Sequence, residues 1–287
     1  MQIIVLSMHR SGSSACTRLL NMMGAYIGPE GITTSPNQEN PKGFWERRDL
    51  RRLDDDVLHA LGADWDSVSA FTTSSLLSLR DGDKALELDA RFDEILEDLD
   101  QHRPWVLKEP RLCLLLPLWL AALDFPVAVI PYRNPLEVAK SLETRNQIPT
   151  DTGLALWEMY SSHILRLAEQ IPHVFVSYRE LVAHPVQTAQ RLLTDLAELG
   201  VKGLRLPASA EITDFVDTSL YRERAELSGL DRRLSPRQWS LWQTFNEKGA
   251  PFPPDLEAIP NEVRLCLKRY EESKRTRLAR AVSPQQG

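Results

Sequence analysis

Four polar clusters in this chain each follow a short apolar run, and the first three place a cation where it could meet a ligand. They read Ser7-Met8-His9-Arg10-Ser11-Gly12-Ser13-Ser14, Lys108-Glu109-Pro110-Arg111, Tyr132-Arg133-Asn134-Pro135 and Ser177-Tyr178-Arg179-Glu180. If the runs before them are neighbouring strands of an open parallel sheet, Arg10, Lys108 and Arg133 converge, because such sheets bind ligands where their strands end. Three cations on one ligand imply a polyanion. The first cluster passes directly into a helical pattern. Backbone N–H groups at a helix N-terminus favour an anion through hydrogen bonds and the helix dipole. Gly12 lets the backbone approach closely, and Ser13 and Ser14 add hydroxyl donors.

The Lys-Ser/Thr pair of nucleotide-binding P-loops is missing here. In those loops the lysine reaches the β- and γ-phosphates and the hydroxyl holds Mg²⁺. A phosphate or sulfate ligand held without a metal therefore fits better than ATP·Mg²⁺. His59, His102, His163, His173 and His184 show no ligand spacing, so no metal site is expected.

The runs Gln2–Ser7, Trp105–Lys108, Val127–Tyr132 and Val174–Ser177 that precede these clusters are nearly all apolar. That is the pattern of parallel strands buried on both faces. Each passes through a polar turn into a helical pattern, which predicts an α/β fold: a P-loop-like central parallel sheet of about four or five strands flanked by helices. Asn134 is placed as an N-cap, Pro135 at the first helical position and Glu137 where a capping-box acid would stand. Between the first two strands lie an acidic amphipathic helix from about Glu87 to Gln101 and a Ser/Thr-rich run from Ser67 to Ser78, expected as a mobile loop. After Leu199 the rhythm fades into Pro- and Trp-bearing segments and a basic helix from about Asn261 to Arg280. The expected organisation is one domain over 1–287: a core over about 1–200, a mostly helical C-terminal elaboration over about 201–280, and a disordered tail over about 281–287.

Bulk composition limits the function. The 287 residues with 43% hydrophobic content can bury a sizeable core. A net charge of −6 argues against coating nucleic acid. Cys16, Cys113 and Cys266 are scattered, which fits reduced thiols. The sequence opens directly on a strand pattern and has no 18-residue apolar run, since "LCLLLPLWLAAL" is short and holds Pro117. A cytoplasmic protein without a membrane span is the expectation.

Several of these segments resemble one family. "MHRSGSSACTRLL" is similar to the 5′-phosphosulfate loop of sulfotransferases, in the variant carrying Arg-Ser-Gly-Ser/Thr. "YRNPLEVAKSL" resembles the family's 3′-phosphate motif. "LKEPR" resembles the Lys-Asp-Pro segment of tyrosylprotein and many bacterial members, with Glu109 in place of Asp. "VSYREL…HP" resembles the Tyr-x-x-Leu segment near the adenine, and "NPKGFWE" and "FVDTSLYRER" look like segments of a bacterial branch. The marks run from about residue 3 to 225, in order.

The resemblance implies transfer of a sulfuryl group from 3′-phosphoadenosine-5′-phosphosulfate to a hydroxyl or, less readily, an amine. The acceptor would be a small molecule, carbohydrate or lipid, with no metal and no nucleic-acid partner. It implies that Arg10 and the backbone of Ser11, Gly12, Ser13 and Ser14 hold the phosphosulfate, and that Arg133 and Ser141 hold the 3′-phosphate. Lys108 would sit at the bridging oxygen, where a positioned cation is worth most as charge develops. Tyr178 would contact adenine or serve as a core tyrosine. Arg222 and Arg224 are further candidates for the 3′-phosphate. The general base is open. Glu46, closing "NPKGFWE", is favoured over Glu30 and Glu39, with Glu109 next and His9 after it; ion pairing of Glu46 with Arg47 or Arg48 competes with that role. Phe44 and Trp45 are either stacking or core residues. A P-loop small-molecule kinase and a non-catalytic nucleotide-binding module remain the alternatives.

Overall fold

The structure is a computed structural model and describes residues 1–36, 42–81, 85–216, 229–247, 250–256 and 258–282. Four strands, β1 (Gln2–Val5), β2 (Trp105–Lys108), β3 (Pro126–Tyr132) and β4 (His173–Ser177), form one sheet in the order β2-β1-β3-β4. Every pairing is parallel. The first strand therefore sits between the second and third, with Val5 level with Lys108 on one side and Val129 on the other. This order puts the turn after β1 between the turns after β2 and β3.

The helices are α1 (Ser13–Met22), α2 (Arg48–Ala60), α3 (Thr73–Leu77), α4 (Ala85–Asp100), α5 (Leu112–Trp119), α6 (Pro135–Asn146), α7 (Thr150–Ala168), α8 (Tyr178–Ala183), α9 (Pro185–Glu198), α10 (Ser209–Phe215), α11 (Leu230–Arg233), α12 (Pro236–Asn246) and α13 (Asn261–Val282). Alternation along the strands divides the core, because successive side chains point to opposite faces. Ile4, Leu107, Ala128 and Ile130 face a cluster containing Leu50, Leu115, Leu156 and Leu267 from α2, α5, α7 and α13. Ile3, Val5, Val106 and Val127 face one containing Leu19, Leu20, Leu192 and Ile212 from α1, α9 and α10. The run "LCLLLPLW" is α5, a helix buried nearly all round. No described helix is long and apolar enough to cross a membrane.

The strand reading shifts by at most two residues at the ends: β1 stops at Val5, and β3 and β4 each begin one residue early. Two expectations need correction. The Ser/Thr-rich run is partly ordered structure: Thr72 caps α3 with a capping box shared with Ser75, and Glu271 of α13 accepts hydrogen bonds from Ser69. Glu137 turns back to Arg133 (Nε to Oε2, 2.8 Å), while Asn134 caps α6 through the Leu136 amide (2.9 Å). An ion pair to the residue just before the cap competes directly with a capping role for the same carboxylate. Glu39, Arg222, Arg224 and the tail after Val282 lie outside the described residues.

Candidate active site at the carboxyl edge of the sheet

The turn after β1 bends sharply. Arg10 (φ 69°) and Gly12 (φ 90°) are both left-handed, and the Ser11 amide donates to the Met8 carbonyl (3.2 Å). A left-handed arginine is strained by about 1–3 kcal/mol, and such strain clusters at functional sites. Gly12 is fixed as glycine twice over: by its φ, and because a Cβ there would stand 2.1 Å from Cδ2 of the Tyr178 ring. The close approach expected at Gly12 is thus made by an aromatic ring. Gly12 is also the N-cap of α1. It supplies no side-chain cap, and no acidic residue stands in the first turn. By contrast Thr72, Asn134, Ser177 and Ser235 each cap their own helices. The α1 dipole therefore meets no acidic side chain in its first turn.

Lys108 ends β2 and is 3% exposed. Its Nζ donates to Ser14 Oγ (3.3 Å) and to the Phe44 carbonyl (3.1 Å), and it pairs closely with Glu46 Oε1. These three partners match the three donors of an ammonium. Glu46 is held by its backbone, whose carbonyl accepts from the Thr34 amide (2.8 Å), in a short pairing of the chain before it with the start of α2. The preceding Trp45 is again left-handed (φ 57°), its indole donating to the Lys42 carbonyl (2.9 Å) under the Arg18 guanidinium (4.4 Å). Glu46 thus pairs with Lys108, a partner the sequence reading did not give it.

On the other side, Arg10 Nε donates to Ser141 Oγ (3.2 Å), so the first loop and α6 touch. Arg133 is buried, pairs with Glu137, reaches the Arg10 carbonyl (3.3 Å) and lies over the Tyr178 ring (5.2 Å). Burial pushes the Tyr178 hydroxyl above its ordinary value, against the pull of Arg133 and Arg10. Ser11 and Ser13 are buried within the turn. The structure therefore brings together Arg10, Ser11, Gly12, Ser13, Ser14, Glu46, Lys108, Arg133, Ser141 and Tyr178 at one edge.

The remaining candidates are placed elsewhere or otherwise engaged. Glu30 is exposed. Glu109 pairs with Arg111 (2.5 Å). His9 lies against Trp65 (centroids 4.5 Å apart), its Nε2 buried and, among the described residues, without a hydrogen-bond partner. Burial, with Arg111, Lys108 and Arg10 nearby, holds the imidazole well below its usual pKa, hence neutral. The sequence reading missed Asp54 of α2, which is 1% exposed beside this cluster. Its signal was present: with Leu50, Leu53, Val57 and Leu58 it falls on the apolar stripe of α2, an acid where a hydrophobe belongs.

Fold and site together define a parallel α/β protein with a cation-lined strand edge built on a helix N-terminus. No protein-family model matches the chain, and no curated protein matches it. Among solved structures it is similar to the sulfotransferase domain of the Synechococcus PCC 7002 olefin synthase, at 16% identity and a TM-score of 0.42 over 94% of both chains. It is also similar to the sulfotransferase domain from the curacin biosynthetic pathway, at 15% identity and a TM-score of 0.41 over 94% of this chain and 96% of that one.

Proposed function

We propose that the chain is a sulfotransferase that moves the sulfuryl group of 3′-phosphoadenosine-5′-phosphosulfate to a hydroxyl of a small-molecule, carbohydrate or lipid acceptor. The observation that carries this reading is the placement of Lys108. Its buried ammonium bridges the first-turn hydroxyl of α1 and a glutamate carboxylate. The residues present fit such a donor: a helix N-terminus free of acids in its first turn, two serine hydroxyls, and two arginines within reach of Ser141 and Tyr178.

The donor supplies an activated sulfuryl group whose S–O bond to the bridging oxygen breaks as the acceptor oxygen attaches. Lys108, exchanging its long contact to Ser14, and the α1 amides bind the bridging and terminal oxygens and stabilise the charge left behind. Arg10 holds the 5′-phosphosulfate with the loop amides, while Arg133 and Ser141 bind the 3′-phosphate and fix its register against the loop. Glu46 takes the acceptor proton. Its contact with Lys108 orients it toward the ammonium where charge accumulates. No residue in this scheme needs a metal.

The test is calorimetric titration of adenosine 3′,5′-bisphosphate, and of ATP with and without Mg²⁺. Micromolar bisphosphate binding, about −8 kcal/mol, indifferent to Mg²⁺ and weakened on the order of 10- to 100-fold in Arg133→Ala, is expected. Binding of ATP·Mg²⁺ with no response to the bisphosphate would replace this reading with the kinase. Glu46→Gln separates enzyme from binding module: it should keep the bisphosphate affinity and abolish transfer.

A further inference from the structure

One residue past Lys108 the chain enters a second charged cluster that the reaction above leaves unused. Asp54 is 1% exposed, and among the described residues no N–H or O–H group donates to either of its carboxyl oxygens. The carboxyl group of Glu109, also 1% exposed, lies within hydrogen-bonding reach of it. Glu109 is already engaged by Arg111, whose amide donates to Oε2 (2.6 Å) and whose Nη1 donates to Oε1 (2.5 Å). Arg111 Nη2 also pairs with Asp55 (2.7 Å). One guanidinium is thus committed to two carboxylates, and Asp54 is left in contact with an anion.

Two buried carboxyl groups in contact cannot both be ionised at modest cost. One must carry a proton, and its O–H then supplies the donor that the contact lacks. The groups facing the pair decide which. Asp55 comes from α2, Arg111 from the turn after β2, Glu46 from the loop before α2, Tyr160 from α7 and Cys113 from α5. Burial, the Glu109 charge and the contact itself push Asp54 well above the ordinary carboxylate range, against the weaker pull of Arg111. Burial raises Glu109 too, and Glu46 adds to it; Arg111 and the hydrogen bond from Asp54 lower it in part, so Glu109 stays raised but Asp54 is displaced further.

We propose that Asp54 and Glu109 share one proton, carried on Asp54, and that this dyad positions the Lys108–Glu46 pair. A neutral Asp54 keeps Glu109 an anion bonded to Arg111. Glu109 then does not compete for Lys108, and the ammonium stays with Glu46, Ser14 and the Phe44 carbonyl. Loss of the proton sets two anions in contact beside the Lys108–Glu46 pair and takes a hydrogen bond from Glu109. The consequence for turnover rests on the sulfotransferase reading; the shared proton does not.

The first test is infrared spectroscopy of wild type and Asp54→Asn at neutral pH, in H₂O and D₂O. The expected result is a protonated-carboxyl C=O band in wild type that shifts in D₂O and is missing from the variant. Identical spectra overturn the proposal. Glu109→Gln serves if Asp54→Asn does not fold: it should keep the band at a displaced frequency, and an unmoved band counts against the contact. Unfolding by urea from about pH 5 to about 8 gives a second reading. A group whose folded pKa is raised loses stability as pH rises toward that value, so wild type should decline and Asp54→Asn should decline less. Equal slopes overturn the shared proton. The positioning role is read from bisphosphate affinity against pH, which should fall at alkaline pH in wild type and hold in Asp54→Asn; superimposable profiles overturn it. An infrared difference without bisphosphate binding in either protein would sustain the dyad and sink the sulfotransferase reading.

Discussion

The Lys108 side of the site and the Arg133 side use the same device, a buried cation against a buried glutamate, and build it in opposite ways. Arg133 and Glu137 are four residues apart, on either side of the Asn-Pro start that fixes α6. Lys108 and Glu46 are 62 residues apart and meet only because the loop before α2 folds over the end of β2. The local pair comes with its helix. The distant pair goes with left-handed backbone at Trp45 and with the pairing of Thr33 and Arg47. A site assembled from both kinds has a rigid anchor on one side and, on the other, a contact whose integrity reports the tertiary fold. On the proposed sulfotransferase reading, that division suits a donor gripped at one end and reacting at the other.

The largest effect should come from the distant pair. Lys108→Met leaves Glu46 buried without its cation, and removing one partner of a buried pair costs about 3–5 kcal/mol. Adding Glu46→Gln should restore much of that loss in urea unfolding. Hydrogen exchange should quicken over residues 42–47 in Lys108→Met, whereas Arg133→Met should quicken it only around the start of α6. Exchange confined to the strand end in both variants would erase the contrast. Next, Gly12→Ala forces a Cβ into the Tyr178 ring at an unfavourable φ. A loss on the order of 3 kcal/mol is expected, visible as a lower melting temperature together with lost bisphosphate binding. If binding survives, the loop relaxes without cost to the site. The smallest change is Ser141→Ala, which removes the Arg10–Ser141 bond across the two sides. It should weaken bisphosphate binding by about 1 kcal/mol, roughly fivefold, without moving the melting temperature.

Legibility follows the same divide. The four strands, the Asn134 cap, the Pro135 start and helix α13 were readable, because each is set by residues within a turn or two of one another. So were the cations at the strand ends, since polarity directly after an apolar run is a local pattern. Glu137 was misassigned because two local rules claimed it, and the ion pair to Arg133 prevailed. The run from Ser67 to Ser78 looked unstructured because its partners, Glu271 and Arg264, lie far away on α13. Asp54 was overlooked within an acidic triplet, although its place on the stripe of α2 marked it for burial.

The sequence by itself determined that this chain makes buried parallel strands ending in cations, with a glycine turn and a helix start after the first. Short-range sterics, capping and alternation suffice for that. Only the tertiary structure decided that β1 lies between β2 and β3, which sets Arg10 between Lys108 and Arg133. It also decided that Glu46 meets Lys108 while Glu109 pairs with Arg111. Charges choose partners by distance and burial, and both exist only once the chain has closed on itself.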